Sequence, residues 1–474
     1  MLKIGSDKFE TKTTQMADVI ILGAGPAGLS GGYELVKRNN KHVFLFEKDG
    51  QAGGISKTIK FRGCFFDLGG HRFHTDLPEV SGLWEEILGK DFLVRKRLSR
   101  IYYKNKFFNY PLTLANAFFG LGILESLVIV SSYLKSKILP SKNEKTMEQW
   151  VSNRFGRKLF KTFFKTYTEK VWGIPCDKLS SDWSAQRIKN LSLFEAIKNS
   201  VLPRGKVKAK TLIDKFYYPK YGPGMMYEEM ARKIVEYGGE VRLDSSVREL
   251  IAEGSEIKSV LIESDNKMGR YLAKNFISTI PVNQLVKMIS PGADKHVIEA
   301  ADGLRYRSFI SVSVILKCSN SFPDNWIYVH SPEIKLGRIQ NFRNWSPFMV
   351  DEENKTTLGL EYFCNENDEF WKMSDDEMIK LGLEEFAKLN LIAEKWEFLD
   401  GFVVRIPKAY PVYDSSYIKN MKIVRKYLDT FSNLQTIGRN GMFRYNNMDH
   451  SVLSGLWAAR NVLGEKNDIW DIND

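Results

Sequence analysis

The stretch Asp18–Gly54, DVIILGAGPAGLSGGYELVKRNNKHVFLFEKDGQAGG, constrains this chain more than any other. It reads as strand, glycine turn, helix, strand. Asp18 to Leu22 is short, apolar and β-branched, and Gly23, Gly25 and Gly28 follow at G-x-G-x-x-G spacing. Gly23 allows the tight turn. Gly25 lets the backbone approach a pyrophosphate, and Gly28 lets the helix sit close to the strand. Ala27, Ser30 and Gly31 are small enough to continue that close packing. The helix N-terminus offers free N–H groups and a positive dipole end to phosphates. Val43 to Glu47 is the second strand, and its acid lies 19 residues after Gly28, where a carboxylate can accept hydrogen bonds from a ribose. Chance turns produce a lone G-x-G-x-x-G. Here the strand, helix, second strand and acid all fall in place, and together they predict a dinucleotide site.

A second glycine turn, Lys48–Gly54, follows at once, and Gly53 and Gly54 would bring backbone near the same ligand. Next comes DLGGHRFHTD, Asp67–Asp76, in which two glycines precede His71. That pattern lets backbone and imidazole approach a flat ligand closely; the plainer reading is a polar turn with one satisfied histidine. No thiol or carboxylate cluster completes a metal-ligand set around His71 and His74, so no metal is expected. Near the other end, Leu434–Asp449 repeats the grammar of a strand ending in glycine (Gly438), followed by a helix that starts near an acid, Asp449. This segment could complete a site begun at residues 18–54, which implies a discontinuous cofactor domain.

At 474 residues the chain has room for two or three structural units. From Leu77 to about Asp214 the texture is helical, with Thr146-x-x-Gln149 resembling a capping box. Phe155, Leu159, Phe160, Phe163, Phe164, Tyr167 and Val171 recur at near-helical spacing, as core aromatics would. Tyr218–Gly224 is rich in turns, and Met225–Tyr237 reads as a helix ended by Gly238-Gly239. Strands are expected at 240–243, 258–263 and 276–280. Further strands at 309–316 and 357–363, with a helix near 375–389, predict a mostly antiparallel sheet. Leu112–Leu134 is long enough to span a membrane, but Glu125 sits near its middle. Helices covering a substrate are the expectation, with peripheral membrane contact as the alternative. The formal charge of +12 suits an anionic ligand, an acidic surface, or simply a basic proteome. Nucleic acid is not expected, because there is no basic tail and no binding motif. Four scattered cysteines and a polar leading segment suit the cytoplasm.

The fingerprint with Glu47 and Gly53-Gly54 resembles flavoproteins of the glutathione-reductase type, and among them the amine-oxidase and protoporphyrinogen-oxidase branch. GGHRFHT (Gly69–Thr75), TYTEKVWGIPCDKL (Thr166–Leu179), YPVYDSS (Tyr410–Ser416) and GRNGMFRYNNMD (Gly438–Asp449) look more like UDP-galactopyranose mutase, and they occur in that family's order. The resemblance implies an α/β fold. It would comprise a glutathione-reductase-type FAD-binding Rossmann domain (17–76, 215–305 and 407–474), a helical insertion serving as lid (77–214) and an antiparallel β-sheet substrate domain (306–406). It implies pyranose/furanose interconversion of a nucleotide-sugar in surface-polysaccharide synthesis. In that chemistry N5 of the reduced flavin attacks the anomeric carbon, UDP leaves, and the sugar recloses through another hydroxyl. By the same resemblance Gly23, Gly25, Gly28, Glu47, Gly53, Gly54, Gly438, Met448 and Asp449 bind FAD. His71 lies at the flavin's reactive edge, Arg439 stabilises the pyrophosphate, and Tyr410 and Tyr445 donate hydroxyls to it. Trp172 and Tyr167 line the sugar pocket, and Arg187 reaches a phosphate from the lid.

The residues also carry plainer readings. Trp172 could be core, Arg187 a solvated helix charge, and Tyr410 a packed turn aromatic. The sequence departs from the mutase pattern at three places: Gly70 stands for proline, Arg72 for an aliphatic residue, and Leu191 for a second lid arginine. Tyr218–Gly224 resembles the oxidase branch instead. The alternative function is therefore a FAD oxidoreductase that dehydrogenates an apolar or amine substrate, with a non-catalytic flavin scaffold a remote third. No second glycine fingerprint supports a built-in NAD(P) domain, so NAD(P)H would act only as an external reductant.

Overall fold

The computed structural model describes residues 15–39, 41–110, 112, 116, 120–182, 184, 214–318 and 321–473. The fold grows from the strand Gln15–Leu22. It pairs in parallel with Val43–Phe46 on one side and with Lys267–Ser278 on the other. Residues 19–22 and 43–46 are all buried, the continuous apolar run of a strand covered on both faces. Glu240–Arg242 adds in parallel beyond Val43–Phe46, and Leu434–Thr436 pairs in parallel with the carboxyl end of Lys267–Ser278. Ser245–Glu253 and Glu256–Ser264 extend the sheet as antiparallel strands.

The helix Pro26–Asn39 lies against Met448–Val462 almost backbone to backbone. A Cβ on Gly455 would sit 2.1 Å from the Ala27 carbonyl oxygen, and one on Gly31 would sit 3.1 Å from the Gly455 carbonyl oxygen. Ser30 Oγ donates across the seam to the carbonyl of Val452, 422 residues away in sequence. Small residues are what permit this approach, so the two ends of the chain close one domain.

The second sheet has seven strands in the order Glu397–Pro411, Tyr306–Lys317, Lys355–Cys364, Arg338–Asn341, Trp326–Val329, Ser99–Tyr103 and Lys106–Asn109. Its pairings are antiparallel except for the parallel contact of Trp326–Val329 with Ser99–Tyr103. The last two strands fall where helix was expected. Ser99–Asn109 carries its own hairpin signal: Lys104 and Asn105 both have positive φ (50° and 58°), as a two-residue type I′ turn requires. Phe92–Lys96 is also a strand, paired with Lys215–Pro219. The backbone of Phe73 bridges to Tyr217, which fixes the segment carrying His71.

The helical part begins with Ile123–Ile138, and among the described residues no helix is long and apolar enough to cross a membrane. Met147–Phe155 opens with the expected capping box, in which Gln149 N–H donates to Thr146 Oγ1. After Gly156 the backbone widens into a π-helical stretch over Phe160–Lys165, then returns to α-helix over Thr166–Trp172. Helix Asp375–Lys388 interrupts the second sheet's strands where the sequence predicts it.

Candidate active site

The glycine turn is tied down by its own backbone. Gly23 N–H donates to the Phe46 carbonyl at 2.8 Å, and Gly53 N–H donates to the Ala24 carbonyl at 2.8 Å. The three fingerprint glycines are glycines for different reasons. A Cβ on Gly28 would lie 1.9 Å from the Gly23 carbonyl oxygen, whereas one on Gly25 meets nothing within 4 Å. Gly23 has φ of +109°. Gly28 therefore serves packing, while Gly25 leaves open the space in front of the helix N-terminus. Gly53 and Gly54 both have positive φ, and a Cβ on Gly54 would lie 3.2 Å from Gly25 Cα, so the second glycine turn closes against the first.

Glu47 is buried, and its two oxygens accept N–H groups from Ala24 (2.7 Å) and Asp49 (3.0 Å). Burial raises its pKa against those two bonds. The distant segment arrives as expected. Gly438 has φ of +75°, its N–H donates to Ser454 Oγ at 3.0 Å, and its missing Cβ would lie 3.0 Å from Ala27 Cβ. Met448 and Asp449 open the helix Met448–Val462 and are both buried. The open space at Gly25, the helix N-terminus and the carboxylates of Glu47 and Asp449 form a cradle that fits a flavin dinucleotide: N–H groups for the pyrophosphate, acids for the ribose and polyol.

In front of the cradle lies a cavity of about 590 Å³. The loop Gly69–Arg72 lines it together with Phe309, Arg338 and Tyr410 from strands of the second sheet and Arg439, Tyr445, Met448 and Asp449 from the segment that opens helix Met448–Val462. Tyr410 and Tyr445 stack with ring centroids 5.7 Å apart, and the Arg439 guanidinium lies over both rings, at 5.6 and 4.8 Å. Arg439 is held by donating Nε to the Asn446 carbonyl (2.9 Å) and Nη1 to the Ala409 carbonyl (3.1 Å). Trp172 packs behind the two tyrosines, at 6.2 and 5.8 Å. Tyr167 stands a layer away, stacked on His330 at 4.6 Å. Neither Trp172 nor Tyr167 is among the residues lining the cavity. Arg187 lies outside the described residues.

His71 sits in this cavity with Nδ1 buried and unpartnered. Desolvation first, then the charges of Arg439 and Arg338, push its pKa down to about 3, so the ring is neutral at physiological pH. Gln340 Oε1 is likewise buried without a partner. Buried polar atoms of this kind call for a ligand or water.

Three residues at this site carried no motif. Arg338 and Glu361 are direct cross-strand partners, and Arg338 Nε donates to Glu361 Oε2 at 2.8 Å. Gln340, two residues along the same strand face, donates to Glu361 Oε1 at 2.8 Å. Arg338 and Gln340 on either side of Ile339, at the period of a strand, were the available signal. Gly70 is explained by the same cluster: a Cβ there would meet Gln340 Nε2 at 3.0 Å.

Comparisons with known proteins agree with this architecture. The family model "Flavin containing amine oxidoreductase" matches residues 26–463. The chain is 23 % identical over 410 residues to protoporphyrinogen oxidase of Dictyostelium discoideum, covering 74 % of this chain and 73 % of that protein. It is 19 % identical over 494 residues to protoporphyrinogen oxidase 2 of Arabidopsis thaliana, covering 94 % and 93 %. The crystal structure of reduced UDP-galactopyranose mutase superposes with a TM-score of 0.84 at 20 % identity, covering 97 % of this chain and 99 % of that one. At that identity the likeness establishes the fold.

Proposed function

The chain belongs to the flavin containing amine oxidoreductase family, and from that premise we propose that it uses FAD to rearrange a nucleotide-sugar, interconverting pyranose and furanose rings in surface-polysaccharide synthesis. One observation carries this reading: Arg338 and Arg439 converge on one cavity with the tyrosines Tyr410 and Tyr445. A guanidinium attracts phosphate oxygens, which Arg engages as a rigid fork. Glu361 already balances Arg338, so Arg439 is the charge offered to a ligand. When bound, the reduced flavin supplies the nucleophile, and external NAD(P)H would keep it reduced. The chain's own residues then hold the substrate. Arg439 and the two phenol hydroxyls neutralise and orient the diphosphate, and neutral His71 accepts or donates a hydrogen bond without adding charge. The stacked aromatics exclude water.

A second reading, dehydrogenation of an apolar or amine substrate, is favoured by the protoporphyrinogen oxidases among the relatives. A substrate carrying carboxylates would meet the same arginines. The two readings separate in one experiment. Reduced enzyme is incubated anaerobically with a panel of UDP-sugars, ring form is followed by chromatography, and the sugar is trapped with cyanoborohydride. The oxidised enzyme is tested separately for oxygen uptake with tetrapyrrole and amine substrates. Ring interconversion and trapping support the mutase reading. Oxygen uptake without UDP binding sinks it in favour of the second. Arg439→Ala should weaken UDP binding about 10- to 100-fold, the loss of one charge-assisted contact, with FAD still bound. Loss of FAD instead would assign Arg439 to the cofactor.

A further inference from the structure

The helix Ile123–Ile138 presents its apolar residues in the wrong direction for a core helix. Ser126, Ile129 and Tyr133 face inward and are buried. On the opposite side, at spacings of three, seven and four residues, stand Leu124 (82 % exposed), Leu127 (59 %), Leu134 (54 %) and Ile138 (77 %). Val128 joins them, and Leu139 continues the ridge past the helix end at 70 % exposure. Scattered exposed leucines need no explanation, but a continuous ridge of this kind marks a surface that meets something apolar.

The charge around the ridge says what that partner is. Residues 123–165 hold nine basic residues and three acidic ones, half of the chain's net charge of +12 in under a tenth of its length. Lys135, Lys137, Lys142 and Lys145 are exposed at the end of the helix and in the loop beyond it. Of the acids, Glu125 is paired with Lys158 and Glu144 with Arg154. A second copy of the same patch would meet it with like charge. An anionic bilayer offers what the patch lacks: acyl chains for the leucines and phosphates for the lysines. Among the described residues no helix can cross a membrane, so the helix would lie in the plane of the interface.

We propose that helix Ile123–Ile138 docks the enzyme on anionic membrane surfaces, with Leu124, Leu127, Val128, Leu134 and Ile138 inserted among the lipids and the neighbouring lysines at the headgroups. This inference is independent of the substrate assigned above.

Vesicle flotation tests it. The FAD-loaded protein is mixed with vesicles of phosphatidylcholine alone, or of phosphatidylcholine with phosphatidylglycerol, at low and high salt. The expected result is binding to the anionic vesicles at least ~10-fold above the neutral ones, weakened by salt. Leu124→Glu with Leu127→Glu should abolish binding while leaving FAD content and melting temperature unchanged, because both side chains are exposed. Lys135→Gln and Lys137→Gln should each reduce binding about 5-fold. Failure of the parent protein to float with anionic vesicles overturns the proposal. So does equal binding to neutral vesicles, or unchanged binding by the double-leucine variant. A dimer in light scattering that the leucine variant dissociates would assign the ridge to a second copy instead.

Discussion

Gly25 and Gly28 are three residues apart, and their substitution separates two jobs of one motif. Alanine at 28 would drive its Cβ against the Gly23 carbonyl, so backbone must move. Gly28→Ala is expected to destabilise the protein by about 1–3 kcal/mol, read as a shift of the denaturation midpoint. Alanine at 25 meets open space, so Gly25→Ala should melt within about a degree of the parent apoprotein, because it creates no clash. Its FAD affinity should nevertheless fall, measured by flavin fluorescence, because the methyl group occupies the pyrophosphate's approach. Equal effects of the two substitutions on folding would show that the cradle is not laid out as described. The motif's spacing is legible in sequence. The motif also predicts which glycine packs and which faces the ligand, and the surroundings of each Cα agree: backbone 1.9 Å from a Cβ at Gly28, open space at Gly25.

At the scale of elements, two ionisable side chains, Lys170 and Asp67, hold the site's scaffolding. Lys170 Nζ lies 2.8 to 3.3 Å from the carbonyl oxygens of Val329, Ser331, Ile334 and Leu336, which share its three N–H donors. It pins the helix that carries Tyr167 and Trp172 to the loop beyond strand Trp326–Val329. Lys170→Met should cost about 2–3 kcal/mol and alter the tryptophan fluorescence of the site; an unchanged melting curve would exclude this role. Asp67 is fully buried and accepts Tyr218 Oη–H and Thr58 Oγ1–H, tying the hairpin Thr58–Asp67 to strand Lys215–Pro219. Burial raises its pKa to about 7. The folded protein thus keeps a proton that the unfolded chain releases near pH 4, and stability contributed by Asp67 is lost as pH rises through about 4 to 7. His71 and His330, both depressed to about 3, act in the opposite sense between pH 3 and 6.5. Comparing Asp67→Asn with its parent cancels the histidines. The variant should gain relative stability from pH 5 to pH 8 in urea titrations, and a constant difference would refute the protonated native state.

The whole molecule closes its cofactor domain with segments from both ends of the chain. A dinucleotide in the cradle would touch the glycine turn, Glu47 and the Gly438–Asp449 segment together. Its binding should therefore stabilise the entire fold: about 2.7 kcal/mol at a FAD concentration 100 times Kd. Thermal melting and hydrogen exchange of the apo and loaded protein check this. Protection should rise together in helix Pro26–Asn39 and helix Met448–Val462, which share one seam. Protection confined to the first would mean that the second does not complete the site.

The half of the cradle between Gly23 and Gly54 is legible in the amino-acid sequence. Glycine spacing, a buried-strand pattern and an acid at the second strand's end are local, and each is fixed by backbone sterics and hydrogen bonding within about thirty residues. The capping box at Thr146 and the helix at Asp375–Lys388 were legible for the same reason. The hairpin Ser99–Asn109 is equally local, but it lies inside the segment 77–214, whose overall texture reads as helical. The remaining features depend on long-range packing. Arg338 and Glu361 become partners only because antiparallel register sets them opposite each other. His71 is held neutral far below the ordinary histidine range because burial, and then two arginines from distant segments, surround it. The outward direction of Leu124 and Leu127 is likewise invisible in a pattern that reads simply as apolar. Period and spacing are properties of one segment. Pairing, desolvation and exposure depend on what the rest of the chain brings alongside.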